Sequence, residues 1–333
     1  MLVLHVGPHK TASTYIQQNL HRDRKALEKA GWIYPELGTL GLPAHHDLAH
    51  NSGAYLTPES AQHPDLVALG QSTDQNLLFS AEGFCRWRLR KFEWLADALG
   101  RDVIDVVYVV RDPIDIFNSY WAEEIKQGYP AGLPERFSEH FNDPMASRIL
   151  NPMLDLAPLL RSPRVKVHAV PFNTLRDRGI DIYENICKSV LKIEDMEFVS
   201  DKPKNTSFPI ELTEFLRLLT LMEAGPNKYV GSALRHRFIS NTSPKERQQL
   251  VELVRVNGKD ARREITFEPN LFYKRRLSTM LRTKLAENWT LDIGDDELFK
   301  TEQQKYVYYS EFQMMSNEVI KNAAESYFTR VKS

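Results

Sequence analysis

The sequence predicts an α/β fold: a parallel sheet flanked by helices, followed by a mainly helical C-terminal half. Three observations predict it. Short apolar runs alternate with amphipathic stretches through roughly the first 200 residues, which is the layer pattern of strands and crossover helices. The runs are apolar almost without interruption, as in strands covered on both faces. From about Ile210 onward the strand signal fades.

The elements follow in order. Leu2 to Val6, Trp32 to Tyr34, Leu77 to Ser80, Ile104 to Val110 and Val165 to Val170 are the expected strands. Ile16, Leu20 and Leu27 share one face of the helical stretch after the first strand, and Phe84 to Leu99 is a further helix candidate. "GLPAHHDLAHNSG" and Lys192 to Phe208 are loop-like. In the second half "IELTEFLRLLTLM" is expected as a buried helix, and Tyr308, Phe312, Met315 and Val319 as one apolar face of a C-terminal helix. No repeat or low-complexity linker divides the chain, so residues 1–333 are expected to form one domain: a core over 1–200 with a helical part, 201–333, packed on it.

Composition narrows the functional classes. The 333 residues are 42% hydrophobic and 26% charged, an ordinary globular balance. A formal net charge of −1 argues against a nucleic-acid-binding surface and confines any anion site to a local pocket. Cys85 and Cys187 are too few for a disulfide framework and lack metal-ligand spacing. No export signal or apolar run near the roughly 20 residues of a membrane helix is visible, so a cytoplasmic protein without a transmembrane segment is expected.

Two stretches have chemical content. In "HVGPHKTAST" a strand ends at Gly7, and a tight loop leads into a helix expected to start near Thr11. Unpaired helix N–H groups and the positive end of the helix dipole meet there, a setting that binds phosphate-like anions. Lys10 adds a full charge, and Thr11, Ser13 and Thr14 add hydroxyls. A surface lysine beside an ordinary helix start is the structural alternative. The nucleotide-kinase loop G-x-x-x-x-G-K-[ST] would need glycine at Leu4 and at His9, so the joint is P-loop-like without matching that motif. In "VVYVVRDPIDIFNSYWAEE" a buried strand delivers Arg111 to its C-terminal end, Asp112 can cap, Pro113 can open a helix, and Ser119 follows two turns into it. Ligands of open α/β sheets bind at such strand ends. Pairing of Arg111 with a neighbouring carboxylate is the alternative.

These two stretches carry a resemblance. "GPHKTASTYIQ" resembles the 5′-phosphosulfate loop of sulfotransferases, P-K-[ST]-G-[ST]-T, in its bacterial and carbohydrate-sulfotransferase form. "VVYVVRDPIDIFNSY" resembles the family's 3′-phosphate strand and helix, with the arginine and, eight residues on, the serine. The likeness covers roughly residues 1–200. His9 interrupts the usual Pro-Lys pair, and Ala12 stands where the family has glycine. The resemblance implies 3′-phosphoadenosine-5′-phosphosulfate (PAPS) as donor, with the 3′,5′-bisphosphate as product. It assigns Gly7, His9, Lys10, Thr11, Ala12, Ser13 and Thr14 to the phosphosulfate, and Arg111 and Ser119 to the 3′-phosphate. Lys204, Asn205 and Ser207 of "KPKNTS" fall where family members close a loop over the nucleotide. No metal is expected, because a sulfuryl group carries less charge than a γ-phosphoryl group.

An acceptor hydroxyl needs a base. Glu82, just beyond the third strand, is the first candidate, since carbohydrate sulfotransferases place a glutamate similarly. A carboxylate serving the dipole of the next helix is the bland reading of the same residue. His45, His46 and His50 compete for the role, with His46 as the catalytic alternative. "RWRLRK" and "YKRRLSTMLRTK" are read as solvated basic helix faces. The expected activity is sulfuryl transfer to a hydroxyl of a carbohydrate or glycolipid. A P-loop ATP-dependent kinase and a non-catalytic nucleotide-binding protein are the alternatives.

Overall fold

The computed structural model describes residues 1–198, 208–226, 228–268 and 271–332. Two compact units divide the chain. The first comprises Met1–Ile116, Arg148–Pro203 and Phe272–Lys300; the second comprises Phe117–Ser147, Lys204–Leu271 and Thr301–Ser333.

The first unit is built on β1 (Leu2–Gly7), β2 (Trp32–Ile33), β3 (Asn76–Ser80), β4 (Ile104–Val110) and β5 (Val165–Pro171), all parallel in the order β2-β3-β1-β4-β5. Its helices are α1 (Ser13–Arg22), α2 (Arg24–Lys29), α3 (His46–His50), α4 (His63–Ser72), α5 (Leu89–Ala98) and the start of α6 (Pro113–Lys126), which continues into the second unit. After α7 (Leu133–Phe141) of the second unit, the first resumes with α8 (Met153–Leu159), α9 (Phe172–Asp177) and α10 (Ile182–Ser189). The second holds α11 (Ile210–Ala224), α12 (Ala233–Ser240), α13 (Pro244–Asn257) and β6 (Arg262–Phe267). α14 (Phe272–Lys284) belongs to the first unit, and β7 (Gln304–Tyr309), α15 (Glu311–Ser316) and α16 (Glu318–Lys332) to the second.

Side-chain alternation explains why the strands are mostly apolar. Leu2, Leu4 and Val6 of β1 join Phe79, Val106, Phe92 and Leu281 on one face. Val3 joins Leu78, Val107, Ile16, Leu20 and Ile186 on the other. Both faces are buried, each Leu or Ile contributing about 1.5–3 kcal/mol.

Four local expectations are corrected. The helix after β1 starts at Ser13, not near Thr11, because Ala12 is left-handed. Phe84 to Leu99 is not one helix: a 3-10 turn over Glu82–Arg86 precedes α5, and Trp87 and Arg88 are extended. Trp87 donates its indole N–H to the Ala49 carbonyl at 2.9 Å and sits edge-on to Phe84 and Phe92, which holds the break. The histidine stretch contains the short helix α3. Tyr308 lies in β7, paired antiparallel with β6, while Phe312 and Val319 are exposed on α15 and α16. Asn317 separates those helices, its side-chain oxygen capping the N–H groups of Val319 and Ile320. Among the described residues no helix is long and apolar enough to cross a membrane.

Candidate functional site

The joint after β1 is an unusual piece of backbone. Gly7 has φ 88°, the Gly7–Pro8 peptide is cis, and Lys10 and Ala12 are left-handed at φ 65° and 66°. Glycine suits position 7 for its φ, and a Cβ there would also sit tightly, 3.3 Å from the Cα of Glu82 just beyond β3. Left-handed conformations at Lys10 and Ala12 cost about 1–2 kcal/mol each and persist only where surrounding bonds hold them. Those bonds are present. Thr11 and Ser13 donate their hydroxyls to the Pro8 carbonyl at 2.5 and 3.2 Å. Arg111 Nη1, from the end of β4, donates to the Lys10 carbonyl at 2.5 Å.

The loop therefore uses two of its expected ligand groups to brace itself: Thr11 and Ser13 are buried, with their hydroxyls directed at Pro8. Thr14 is exposed in the first turn of α1. At the N-cap stands Ala12, whose side chain has no oxygen to cap the first-turn N–H groups. The positive end of α1 therefore has no side-chain cap from its N-cap residue, two positions after Lys10.

Arg111 lies over the Phe172 ring at 5.0 Å and 3.9 Å from Asp115. Asp115 also pairs with Lys300 at 3.0 Å, so the expected alternative of a neighbouring carboxylate for Arg111 is present in the structure, shared with a second cation. Its neighbour Asp112 caps α6 as expected, accepting from the N–H groups of Ile114 and Asp115. Asp112 also forms a 2.8 Å buried ion pair with Lys274 of the basic "YKRRLSTMLRTK" stretch. That lysine is no solvated-face residue.

Glu82 opens the 3-10 turn beyond β3, its side chain 17% exposed, with His9 Nδ1 3.8 Å from the carboxylate and the His9 side chain 37% exposed. Burial lowers the His9 pKa from the ordinary imidazole range; Glu82 opposes this, while Arg86, Lys10 and His50 reinforce it. The three loop histidines separate. His45 is a core residue: Nδ1 accepts from the Ser80 N–H at 3.1 Å, so Nε2 carries the proton and donates to the Pro35 carbonyl at 2.9 Å. Burial depresses its pKa to about 3. His46 and His50 stack at 6.0 Å, and a Cβ on Gly83 would come within 3.0 Å of the His50 ring, which places His50 against the Glu82 turn. His46 is half-buried, and burial lowers its pKa.

β1, β3 and β4 are neighbours, so Gly7 to Lys10, Glu82 and Arg111 are brought together at the carboxyl ends of three adjacent parallel strands. Ser119 is half-buried in the part of α6 that belongs to the second unit. Lys204, Asn205 and Ser207 lie outside the described residues. A groove of about 630 Å³ in the same unit lies elsewhere, lined by residues of α4 and α5 such as Val67 and Trp94. Two relations escaped sequence reasoning. The His9 contact with Glu82 was signalled only by the histidine interrupting Pro and Lys, and the Asp112 pair with Lys274, 162 residues apart, by nothing. Among the described residues no group of three or more His, Cys, Asp or Glu side chains could hold a metal ion. Comparison with protein-family models, with curated proteins and with solved structures returned no match.

Proposed function

We propose that the chain is a P-loop-type sulfotransferase that moves a sulfuryl group from PAPS to an acceptor hydroxyl, of a carbohydrate or glycolipid in preference to a small molecule. The observation that carries this reading is the convergence of three strand ends: a braced loop with Lys10 from β1, Glu82 from β3 and Arg111 from β4. In this reading Lys10 and the first-turn N–H groups of α1 face the phosphosulfate. There they stabilise the charge that grows on the oxygen bridging phosphorus and sulfur as the S–O bond breaks. Arg111, already fixed to the Lys10 carbonyl, offers its guanidinium to the 3′-phosphate, for which a planar fork of donors is suited. Ser119, on the helix that follows, is its expected companion by sequence. The acceptor's proton needs a base, and the Glu82 end of β3 is where the chain can provide one.

The test is transfer of labelled sulfate from PAPS to a panel of sugar and phenolic hydroxyls. The expected result is transfer without added Mg²⁺, with Lys10→Ala lowering kcat about 10²- to 10³-fold, as for loss of one preorganised oxyanion donor. Arg111→Ala should weaken adenosine 3′,5′-bisphosphate binding by about 2–5 kcal/mol and adenosine 5′-phosphosulfate binding by clearly less, the smaller loss coming from the Lys10 brace that the arginine also supplies. Failure to bind the bisphosphate, or phosphoryl transfer from Mg-ATP in its place, overturns the reading.

A further inference from the structure

We propose that the proton acceptor of this site is a dyad, in which Glu82 orients and charges His9 and the His9 imidazole takes the proton from the acceptor hydroxyl. The inference rests on the sulfotransferase reading and refines its base. The geometry is layered. Glu82 is the more buried of the two, and a Cβ on Gly7 would come within 3.3–3.5 Å of its Cα, Cβ and Cγ. His9 presents Nδ1 to the carboxylate at 3.8 Å, and its side chain is 37% exposed against 17% for Glu82. The imidazole is therefore the more solvent-accessible of the two groups. His9 is also the residue immediately before Lys10, so the base is tied by the backbone to the group assigned to the sulfuryl donor. At 3.8 Å the two are an ion-pair distance apart and not hydrogen-bonded; in the proposed step they close to a hydrogen bond, which places the proton on Nδ1 and leaves Nε2 as the acceptor.

The step balances. The acceptor oxygen forms the new S–O bond, and the bond from sulfur to the 5′-phosphate oxygen breaks with its electron pair on that oxygen. The hydroxyl proton passes to His9 Nε2, and the imidazolium formed is offset by Glu82 and later loses its proton to water. The groups that set its titration are Glu82 and Arg86 of the 3-10 turn, Lys10 of the loop and His50 of α3. Burial together with Arg86, Lys10 and His50 keeps the imidazole neutral near pH 7, while Glu82 limits the depression. Basicity is thus lost only as pH falls into the acid range.

The experiment compares kcat against pH, at saturating donor, for the wild type, His9→Gln and Glu82→Gln, with circular dichroism and equilibrium unfolding as the check on folding. The expected wild-type profile has an acid limb below about pH 6.5. His9→Gln should remove that limb and lower kcat about 10²- to 10⁴-fold. Glu82→Gln should keep the limb but move it to lower pH, because the charge that raises the His9 pKa is gone. A limb that survives in His9→Gln and disappears in Glu82→Gln would make the carboxylate itself the base and overturn the dyad. An NMR titration of His9 C–H resonances gives a readout independent of turnover: its pKa should fall in Glu82→Gln, and an unchanged value also overturns the pairing. If the wild type binds no bisphosphate and transfers no sulfate, the sulfotransferase reading fails, and the His9 role as proton acceptor is overturned with it; the NMR result then separates the pairing from the activity.

Discussion

Two carboxylates stand just beyond the strands on either side of β1, Glu82 after β3 and Asp112 after β4, and they have opposite fates. Asp112 is fully buried and saturated. One of its oxygens accepts from the N–H groups of Ile114 and Asp115 at 2.9 and 3.2 Å, and the other from Lys274 at 2.8 Å and the Lys300 N–H at 3.1 Å. Glu82 is partly exposed, and its contact with His9, at 3.8 Å, exceeds hydrogen-bond length. Residue type and position in the sheet are nearly the same, so partner number and distance separate the roles. A carboxylate that satisfies four donors holds elements together; one held loosely beside an imidazole is available for proton chemistry.

The sharpest break of this comparison is a pair of substitutions. Asp112→Ala leaves Lys274 buried without its counter-charge and uncaps α6, so it should cost about 3–5 kcal/mol in equilibrium unfolding. Glu82→Gln should stay within about 0.5 kcal/mol by the same measurement. Similar losses at both sites would erase the distinction. The contrast extends to histidines. Burial holds the folded-state pKa of His5 at about 4 and of His45 at about 3, while the unfolded chain titrates near the ordinary imidazole value of 6.5. The unfolded state therefore binds more protons below that value. Stability is full above about pH 6.5 and falls as pH drops toward 4, with a limiting slope of about 1.4 kcal/mol per pH unit for each of the two. Denaturant titrations at pH 7, 6 and 5 check this, and a flat profile would mean that the two imidazoles are not held neutral by the fold. The smallest effect is expected at the loop. Ala12→Gly relieves a left-handed alanine but loosens the unfolded chain, a net gain of up to about 1 kcal/mol readable as a higher Tm. A lower Tm would mean that the alanine methyl contributes packing worth more than the strain.

Much of the sheet was legible. The five strands of the first unit register with the five apolar runs, because strands largely buried on both faces are mostly apolar, with exceptions such as His5, Asp105, Lys166 and His168. The charged residues just beyond the strand ends were also legible, since the apolar runs stop where the backbone leaves the core. Legibility failed where the outcome depended on residues far apart. Trp87 breaks the Phe84 to Leu99 stretch through a carbonyl 38 residues away, at Ala49. Tyr308 is in a strand because β6 lies beside it, not because of helical spacing.

By itself the sequence determined the period of each strong element, the arrival of Lys10, Glu82 and Arg111 at the ends of three strands, and the backbone donors that a strand-loop-helix joint exposes; these follow from local sterics and from burial of neighbouring side chains. Only the tertiary structure decided the rest. It turned Thr11 and Ser13 onto Pro8, locked the left-handed Lys10 with Arg111, drew Lys274 to Asp112, buried His45 and set His9 against Glu82. Each of these is an electrostatic pairing between groups whose energies depend on distance and desolvation, quantities that exist only once the chain has folded.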